Sequence, residues 1–469
     1  MKTHKNWSYA PYRPYLGRND GIYVCRIAPT SDSITFDWLD AGCDCYSVYI
    51  RERNIGEFVC VGKTEGLTYT INFLKNETDY EFYVEAGEKK SLVRLARCGE
   101  SFGTVVNYLH PDDDVYAFSG KYLCSPSIVR HPDGYLLASM DLYAGNYPQN
   151  LTLIYRSDDD GKSWNYVSEL FPCFWGKLFI YQNDLYMLAC STEYGDLLIG
   201  KSTDGGKTFS EPVTLLRGSN GKNGESGVHK NPQPVIEFGG RIWNTLEWGS
   251  WHRENKHSVM VMSAEIGCDI LEADNWSFTE PVIYNPEWEG LPKGESSGNI
   301  EGCLVVKDGK LRNIMRYDMT QMTPNYGLVI SYDVDMENPE APLKYSHCIK
   351  FPANHAKFVI RYDDVTKKYY SLASRITDAE KPTDRRLLSL MVSDDLENWD
   401  VAIDVMDKRM CDADKVGFQY TDFFIENGVI YYLCRTAMNN ADTFHDANYS
   451  IFGKIDLREN KKYDIMKKD

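Results

Sequence analysis

Several polar side chains in the middle and at the end of the chain have the types that acid–base chemistry needs. His445 is followed directly by Asp446, and a histidine beside a carboxylate can give or take a proton near neutral pH. His229 precedes an Asn-Pro-Gln-Pro stretch, and Trp248 comes soon after it. An indole ring of this kind can cover the C–H face of a sugar. Together these residues predict a carbohydrate site, with His445 as a candidate acid or base.

The elements that must position these residues are predicted to be short β-strands. Residues 20–105 alternate apolar and polar side chains in runs punctuated by Gly, Asn and Asp, which is typical of an antiparallel β-sandwich. Trp38 in an early strand and Tyr80 before a later one resemble the fibronectin type III pattern. In that family the tyrosine hydroxyl ties its strand to the preceding turn. We therefore expect a fibronectin type III-like domain here.

The remaining chain is too long for a single sandwich. Residues 1–19 are predicted to be an N-terminal extension, 105–115 a linker and 458–469 a polar tail. Between 115 and 457 short β-runs continue with turn signals, and helical periodicity is nearly absent. This length suits a propeller of four-stranded blades, with six blades favoured over five.

A repeated turn motif identifies the propeller type. Residues 157–164 fit the pattern S-x-D-x-G-x-[ST]-W, residues 202–209 fit it with Phe for Trp, and residues 393–399 are a shortened relative. The aspartate of such a turn can accept backbone N–H bonds, and glycine permits positive φ. The repeat resembles the Asp box of the sialidase-like β-propeller family. The predicted fold class is therefore all-β, an N-terminal β-sandwich followed by a sialidase-like β-propeller.

Three further stretches resemble the sialidase framework. Glu301 and Arg316 lie fifteen positions apart on a strand–turn–strand segment, Arg386 precedes the last Asp box, and Tyr420 begins a Tyr-Thr-Asp strand. The resemblance implies that Tyr420 is the nucleophile, that Glu301 is the base activating it, and that Arg316 and Arg386 bind the substrate carboxylate. Paired guanidinium groups suit that task because they bind carboxylates through bidentate hydrogen bonds.

The sequence departs from the family pattern at two positions. Cys124 occupies the place of the family's first carboxylate-binding arginine. The family also has an acidic aspartate on the loop after the first strand pair, where Asp141 is the only acid of this chain and lies earlier than expected. We therefore assign Asp141 as the candidate general acid. The missing arginine leaves open which acidic sugar is bound.

The resemblance implies a retaining exo-glycosidase that removes a terminal, acidic sugar. A carboxylate on the anomeric carbon would repel a carboxylate nucleophile, whereas a neutral tyrosine is not repelled, and sialidases use tyrosine for this reason. Because the phenol has a pKa of about 10, it needs a neighbouring base. Two alternatives stay open. One is a glycosidase of the same fold that uses carboxylates or His445 on a neutral sugar, and the other is a glycan-binding propeller without turnover.

The expected partner is a glycan or a small glycoside, and composition argues against nucleic acid and membranes as partners. The net charge of −17 disfavours nucleic acid, and no apolar run is long enough to span a bilayer. The N-terminus lacks the apolar core of a signal peptide, so a cytoplasmic location is expected unless an export signal has been removed. No Cys/His metal spacing or glycine-rich phosphate loop is present, and we expect no cofactor and no metal.

Overall fold

The computed structural model describes residues 21–219, 224–253, 256–292, 298–318, 327–353, 356–378 and 381–458. The predicted extension 1–19 and residues 459–469 of the predicted tail lie outside this part of the chain. Within the described ranges the regular structure is β-strand, apart from a three-residue 3-10 turn at Ala273–Asn275. No helix in these ranges is long and apolar enough to cross a membrane.

The N-terminal domain is a sandwich of two antiparallel sheets. Its strands are β1 (Val24–Pro29), β2 (Ile34–Trp38), β3 (Tyr46–Glu52), β4 (Val59–Thr64), β5 (Thr68–Ile71), β6 (Asp79–Ala86), β7 (Lys89–Lys90) and β8 (Arg94–Arg97). One sheet has the order β1-β2-β5, and the other has β4-β3-β6-β7 with β8 also paired to β6. Alternate residues such as Phe36, Trp38 and Phe82 fill the space between the sheets. The Tyr80 hydroxyl accepts the backbone N–H of Lys75 at 2.9 Å, which ties β6 to the preceding turn.

Six antiparallel sheets follow, and they form the blades of a propeller. The first three blades contain β10 (Tyr122–Arg130), β11 (Leu136–Tyr143), β12 (Thr152–Ser157) and β13 (Asn165–Leu170); β14 (Phe174–Tyr181), β15 (Asp184–Cys190), β16 (Leu197–Ser202) and β17 (Val213–Leu216); and β18 (Gly227–His229), β19 (Ile236–Phe238), β20 (Arg241–Gly249), β21 (His257–Glu265) and β22 (Trp276–Phe278). In the third blade, β18 and β19 pair successive parts of β20 and act as one interrupted strand.

The last three blades complete the ring. They contain β23 (Gly298–Lys307), β24 (Lys310–Asp318), β25 (Leu328–Asp333) and β26 (Lys344–Lys350); β27 (Ile360–Asp363), β28 (Lys368–Ser374), β29 (Leu387–Ser393) and β30 (Asp400–Asp407); and β31 (Gly417–Glu426), β32 (Val429–Ala437) and β33 (Tyr449–Asp456). Strand β10 contacts both β14 and β31, and β27 contacts both β23 and β31. The first strand of each blade therefore lies nearest the axis. The all-β prediction of a sandwich followed by a six-bladed propeller is confirmed.

The predicted linker is in part a strand. Strand β9 (Thr104–Tyr108) pairs with β33 and completes the sixth blade, so residues from before the first blade close the ring. The sandwich packs directly against this closure. Arg26 donates to the carbonyl oxygens of Val105 and Val106 at 3.0 and 2.8 Å. A buried ion pair of 2.6 Å between Arg94 and Asp113 adds a second link between the two domains.

The two full copies of the turn motif have the same hydrogen bonds. In the first, Asp159 accepts the backbone N–H of Ser163 at 2.9 Å and its hydroxyl at 2.6 Å. In the second, Asp204 accepts the same two groups of Thr208 at the same two distances. These bonds hold the turn between the third and fourth strands of the first two blades.

Candidate active site

Four blades begin their first strand with the same local distortion. Ser125, Trp175, Glu301 and Tyr420 have φ between 49° and 58°. Each lies at an interruption of register between the first and second strands of its blade, as a β-bulge does. Positive φ is uncommon for residues other than glycine and costs about 1–3 kcal/mol per residue. We call the end of the axis formed by these four residues and His229 the mouth.

Arg316 joins the predicted base to the predicted nucleophile. Its Nη1 lies 2.7 Å from a carboxylate oxygen of Glu301 and 3.5 Å from the hydroxyl of Tyr420. Burial alone would lower the pKa of Arg316, but the charge of Glu301 raises it overall. The structure therefore brings together Tyr420, Glu301 and Arg316, which the sequence places up to 119 positions apart.

Two more arginines approach the same tyrosine. The guanidinium carbon of Arg385 lies 5.6 Å from the centre of the Tyr420 ring, and that of Arg435 lies 5.1 Å from it. Arg385 also donates to the side chain of Gln419. Burial and the neighbouring charges of Arg316 and Arg435 lower the pKa of Arg385 to about 10. Three positively charged guanidinium groups thus lie close together around Tyr420.

Each of the three arginines has a buried N–H donor without an acceptor among the described residues. In each of Arg316, Arg385 and Arg435 the Nε atom is buried and has no hydrogen-bond partner among the described residues. Buried polar groups are nearly always paired, and each unpaired one needs an explanation. Among these three guanidinium groups, only that of Arg316 is paired directly with a carboxylate in the described residues, that of Glu301. An anionic ligand would supply both the missing acceptors and the missing charge.

Arg386 does not face the mouth, in contrast to our assignment. Its guanidinium forms an ion pair of 2.7 Å with Asp384 and donates to the carbonyl oxygens of Arg409 and Cys411. Consecutive residues of an extended chain point in opposite directions, so Arg385 faces Tyr420 and Arg386 faces away. Of the two adjacent arginines, Arg385 and not Arg386 therefore lies at the mouth.

Asp141 lies beneath the mouth and not in it. Its carboxylate is fully buried and accepts the Thr152 hydroxyl at 2.5 Å and the backbone N–H of Trp175 at 2.6 Å. Burial raises the pKa of Asp141 to about 7. This value suits a general acid, but one oxygen accepts from Thr152 and the other from the bulge at Trp175. The structure therefore places Asp141 where it positions Trp175, and not in the mouth as the expected acid would be.

His445 and Asp446 lie beside Arg435. The backbone carbonyl of His445 accepts from Arg435 at 2.5 Å, and its Nδ1 lies 3.2 Å from Asp446. The ring also packs edge-on against Tyr143 at 5.3 Å. Burial and the charge of Arg435 lower the pKa of His445 to about 4. This lowered pKa favours the neutral imidazole at pH 7 and disfavours His445 as the proton donor there.

The third blade contributes an imidazole–carboxylate pair. Nδ1 of His229 lies 2.6 Å from Glu247, and both side chains are buried. The His229 ring packs against Trp175 at 4.4 Å and against His257 at 4.7 Å. Trp248 follows Glu247 on β20, so its side chain leaves the opposite face of the sheet and packs with the core between blades. The expected sugar-binding role of Trp248 is not supported by this placement.

Buried cations lie below the mouth. Lys177 forms an ion pair with Asp422, and both side chains are almost completely buried. The ammonium groups of Lys230 and Lys357 lie 3.3 to 3.4 Å from backbone carbonyl oxygens. Burial lowers the pKa of both lysines to about 8. These groups add positive charge beneath the arginines and so favour an anionic ligand.

Sequence reasoning missed Arg385, Arg435 and Glu247. A signal for Arg435 was present, because it follows Tyr420 by fifteen positions, as Arg316 follows Glu301. In the structure the two pairs occupy matching places, since Arg316 is paired with Ile300 and Arg435 with Gln419 across the first two strands of their blades. Arg435 also lies close enough to Cys124 for its charge to act on the thiol. Arg435 therefore brings a guanidinium close to Cys124.

Comparison with solved structures agrees with the fold. The chain is similar to the α-L-arabinanase of Penicillium chrysogenum in complex with arabinobiose, with a TM-score of 0.50 and 14% identity over 76% of this chain and 98% of the other. It is similar to a Hadza microbial sialidase with a TM-score of 0.50 and 12% identity over 98% and 99% of the two chains. It is also similar to the GH93 α-L-arabinofuranosidase of Fusarium graminearum in complex with arabinobiose, with a TM-score of 0.50 and 12% identity over 77% of this chain and 99% of the other.

These similarities concern the fold. At such low identity they do not carry a substrate or a reaction over to this chain. No protein-family model matches the sequence, and no curated protein matches it. The described residues also contain no group of three or more His, Cys, Asp or Glu side chains that could hold a metal ion.

Proposed function

We propose that this protein is a retaining exo-glycosidase that removes a terminal sugar carrying a carboxylate. The observation that supports it most directly is the arrangement around Tyr420, whose hydroxyl shares Arg316 with the carboxylate of Glu301. The unpaired Nε atoms of Arg316, Arg385 and Arg435 supply donors for the substrate carboxylate. A glycan-binding propeller would not need a tyrosine hydroxyl and a carboxylate held by one guanidinium.

In the proposed reaction Glu301 takes the phenolic proton of Tyr420 as the phenol oxygen attacks the anomeric carbon. The bond from that carbon to the leaving oxygen breaks, and the leaving oxygen receives a proton. Water then attacks the tyrosyl glycoside from the opposite side, and Tyr420 regains its proton from Glu301. Two displacements retain the anomeric configuration. The guanidinium groups hold the carboxylate through both steps.

The test is hydrolysis of 4-nitrophenyl glycosides of sialic acid, its deaminated analogue, glucuronic acid and neutral hexoses. We expect cleavage of an acidic member, with a loss of at least ~10³-fold in kcat for Tyr420→Phe, because a nucleophile acts as a unit with its base. Arg386→Ala is the matched control and should retain activity, since Arg386 pairs with Asp384 away from the mouth. NMR of the first-formed sugar should show retention.

Two outcomes would contradict the proposal. Cleavage of a neutral glycoside by both wild type and Tyr420→Phe would favour a same-fold glycosidase that uses carboxylates or a histidine. Binding of an acidic sugar without cleavage of any glycoside would instead indicate a glycan-binding propeller. Thermal unfolding of each variant checks that a lost activity does not reflect a lost fold.

A further inference from the structure

The proposed reaction needs a proton donor for the leaving oxygen, and the acids nearest Tyr420 do not provide one. Glu301 is ion-paired with Arg316 at 2.7 Å and already has the role of base. The carboxylate of Asp141 is fully buried, with both oxygens engaged by neighbouring residues. Burial and Arg435 lower the pKa of His445, which favours the neutral imidazole at pH 7. These three groups are therefore poorly suited to protonate the leaving oxygen, whereas the third blade carries a further imidazole at the mouth, that of His229.

The third blade holds an imidazole in a fixed orientation. His229 ends β18 and lies directly opposite Glu247 on β20 in the strand register. Its Nδ1 lies 2.6 Å from Glu247, whose side chain is completely buried. A carboxylate at Nδ1 fixes the ring and its tautomer, so that Nε2 is the nitrogen left for exchange.

The same carboxylate supports the strand that carries the base. The second oxygen of Glu247 accepts the backbone N–H of Gly302 at 3.2 Å. Gly302 follows Glu301, whose φ of 58° marks the bulge of the fourth blade. Glu247 therefore holds His229 with one oxygen and the bulge of Glu301 with the other. The imidazole and the base are positioned by one buried group.

An aromatic wall surrounds the imidazole. Trp175 lies 4.4 Å from the His229 ring, and His257 lies 4.7 Å from it on the other side. Trp251 packs edge-on against His257 at 4.5 Å and is 42% exposed. The charge of Arg316 contributes to the lowered pKa of His257, so the wall adjoins the arginine site. Flat rings next to the bound acidic sugar suit the C–H faces of a second sugar, the leaving group.

We propose that His229, held by Glu247, is the general acid and base of the reaction, an assignment that rests on the proposed function. As the bond to the leaving oxygen breaks, that oxygen takes the proton from Nε2 of the imidazolium. The products of this step are the aglycone alcohol, which leaves, and a neutral imidazole ring. In the second step the attacking water gives its proton to Nε2. The imidazolium is thereby restored, and atoms and charge balance over the cycle.

The test uses the dependence on the leaving group, which a structural role would not produce. The full chain and its His229→Gln variant are assayed on 4-nitrophenyl and methyl glycosides of sialic acid and glucuronic acid. Nitrophenol leaves without protonation, whereas methanol does not. We expect His229→Gln to lose less than about tenfold in kcat/KM on the nitrophenyl glycoside and on the order of 10²- to 10⁴-fold on the methyl glycoside.

The controls separate this assignment from its rivals. His347 pairs with Glu397 at 2.7 Å on the outer strand of the fourth blade, so His347→Gln removes an equivalent pair away from the mouth and should behave as wild type. Equal losses of His229→Gln on both leaving groups would overturn the assignment. So would a leaving-group-dependent loss in Asp141→Asn with none in His229→Gln. Wild type that cleaves neither glycoside would refute the proposed function itself.

Discussion

Arg435 gives the sharpest test of the anionic substrate, because its role in binding is separable from its role in the fold. Its Nε is buried without a partner among the described residues, and its guanidinium lies 5.1 Å from the Tyr420 ring. A hydrogen bond to a charged group is worth about 1.5–3 kcal/mol, and each ~1.4 kcal/mol is a factor of ten. Arg435→Leu should therefore lower kcat/KM on an acidic glycoside about 10- to 150-fold.

The assay compares the 4-nitrophenyl glycoside of sialic acid with its methyl ester, which differs by one methyl group and carries no charge. Arg435 also donates to the carbonyl of His445 at 2.5 Å, so its removal disturbs that loop for either substrate. We expect the large loss only on the acid, and none in the control Arg386→Leu. An equal loss on acid and ester would refute the reasoning and reduce Arg435 to a structural residue.

Two further predictions concern stability. Burial raises the pKa of Asp141 to about 7, so the folded state keeps a proton that the unfolded chain releases above about pH 4. Relative to Asp141→Asn, wild type should lose as much as about 4 kcal/mol between pH 4 and 7 in urea unfolding, and a pH-independent difference would contradict this. A Cβ on Gly161, at φ +88°, would lie 1.9 Å from the Phe452 ring. Gly161→Ala should therefore destabilise more than Gly134→Ala, which has φ +94° and open space; equal losses would show that the ring yields.

The fold was predictable because its signals are local. The motifs at 157–164 and 202–209 contain within eight residues the groups that form their turns, and alternation over a few residues specifies a strand. The closure of the ring was not predictable in this way. Strand β9 pairs with β33, which lies more than 300 positions later, and nothing in residues 104–108 names that partner. The sequence therefore indicated a linker where the structure has a strand.

The choice between two adjacent arginines shows a second limit. Arg385 and Arg386 have the same chemistry, but their side chains point to opposite sides of the extended chain. The backbone around Arg385 is fixed by a bridge to Gly417, at the start of the strand that carries Tyr420. That pairing directs Arg385 to the mouth and leaves Arg386 to Asp384. A one-residue shift of register would exchange the two roles, and local sequence does not specify it.

Glu247 was missed for a different reason. Its position on the second strand of the third blade matches that of Arg316 in the fourth, of Arg435 in the sixth and of Asp141 in the first. The six-residue interruption of the first strand after His229 hides this repeat in the sequence. Once the blades are aligned, the second strands of these four blades supply a polar side chain at the same position. The position is thus repeated while the chemistry of its residue varies.

The buried acids explain how a strained mouth can persist. Four bulges at about 1–3 kcal/mol each would relax without support. Asp141 accepts the N–H of Trp175 at 2.6 Å, and Glu247 accepts the N–H of Gly302 beside Glu301 at 3.2 Å. Each acid thus uses a hydrogen bond, worth about 0.5–1.5 kcal/mol, to hold one bulge. The groups that act on the substrate are therefore oriented before it binds, so that little reorganisation remains for the transition state.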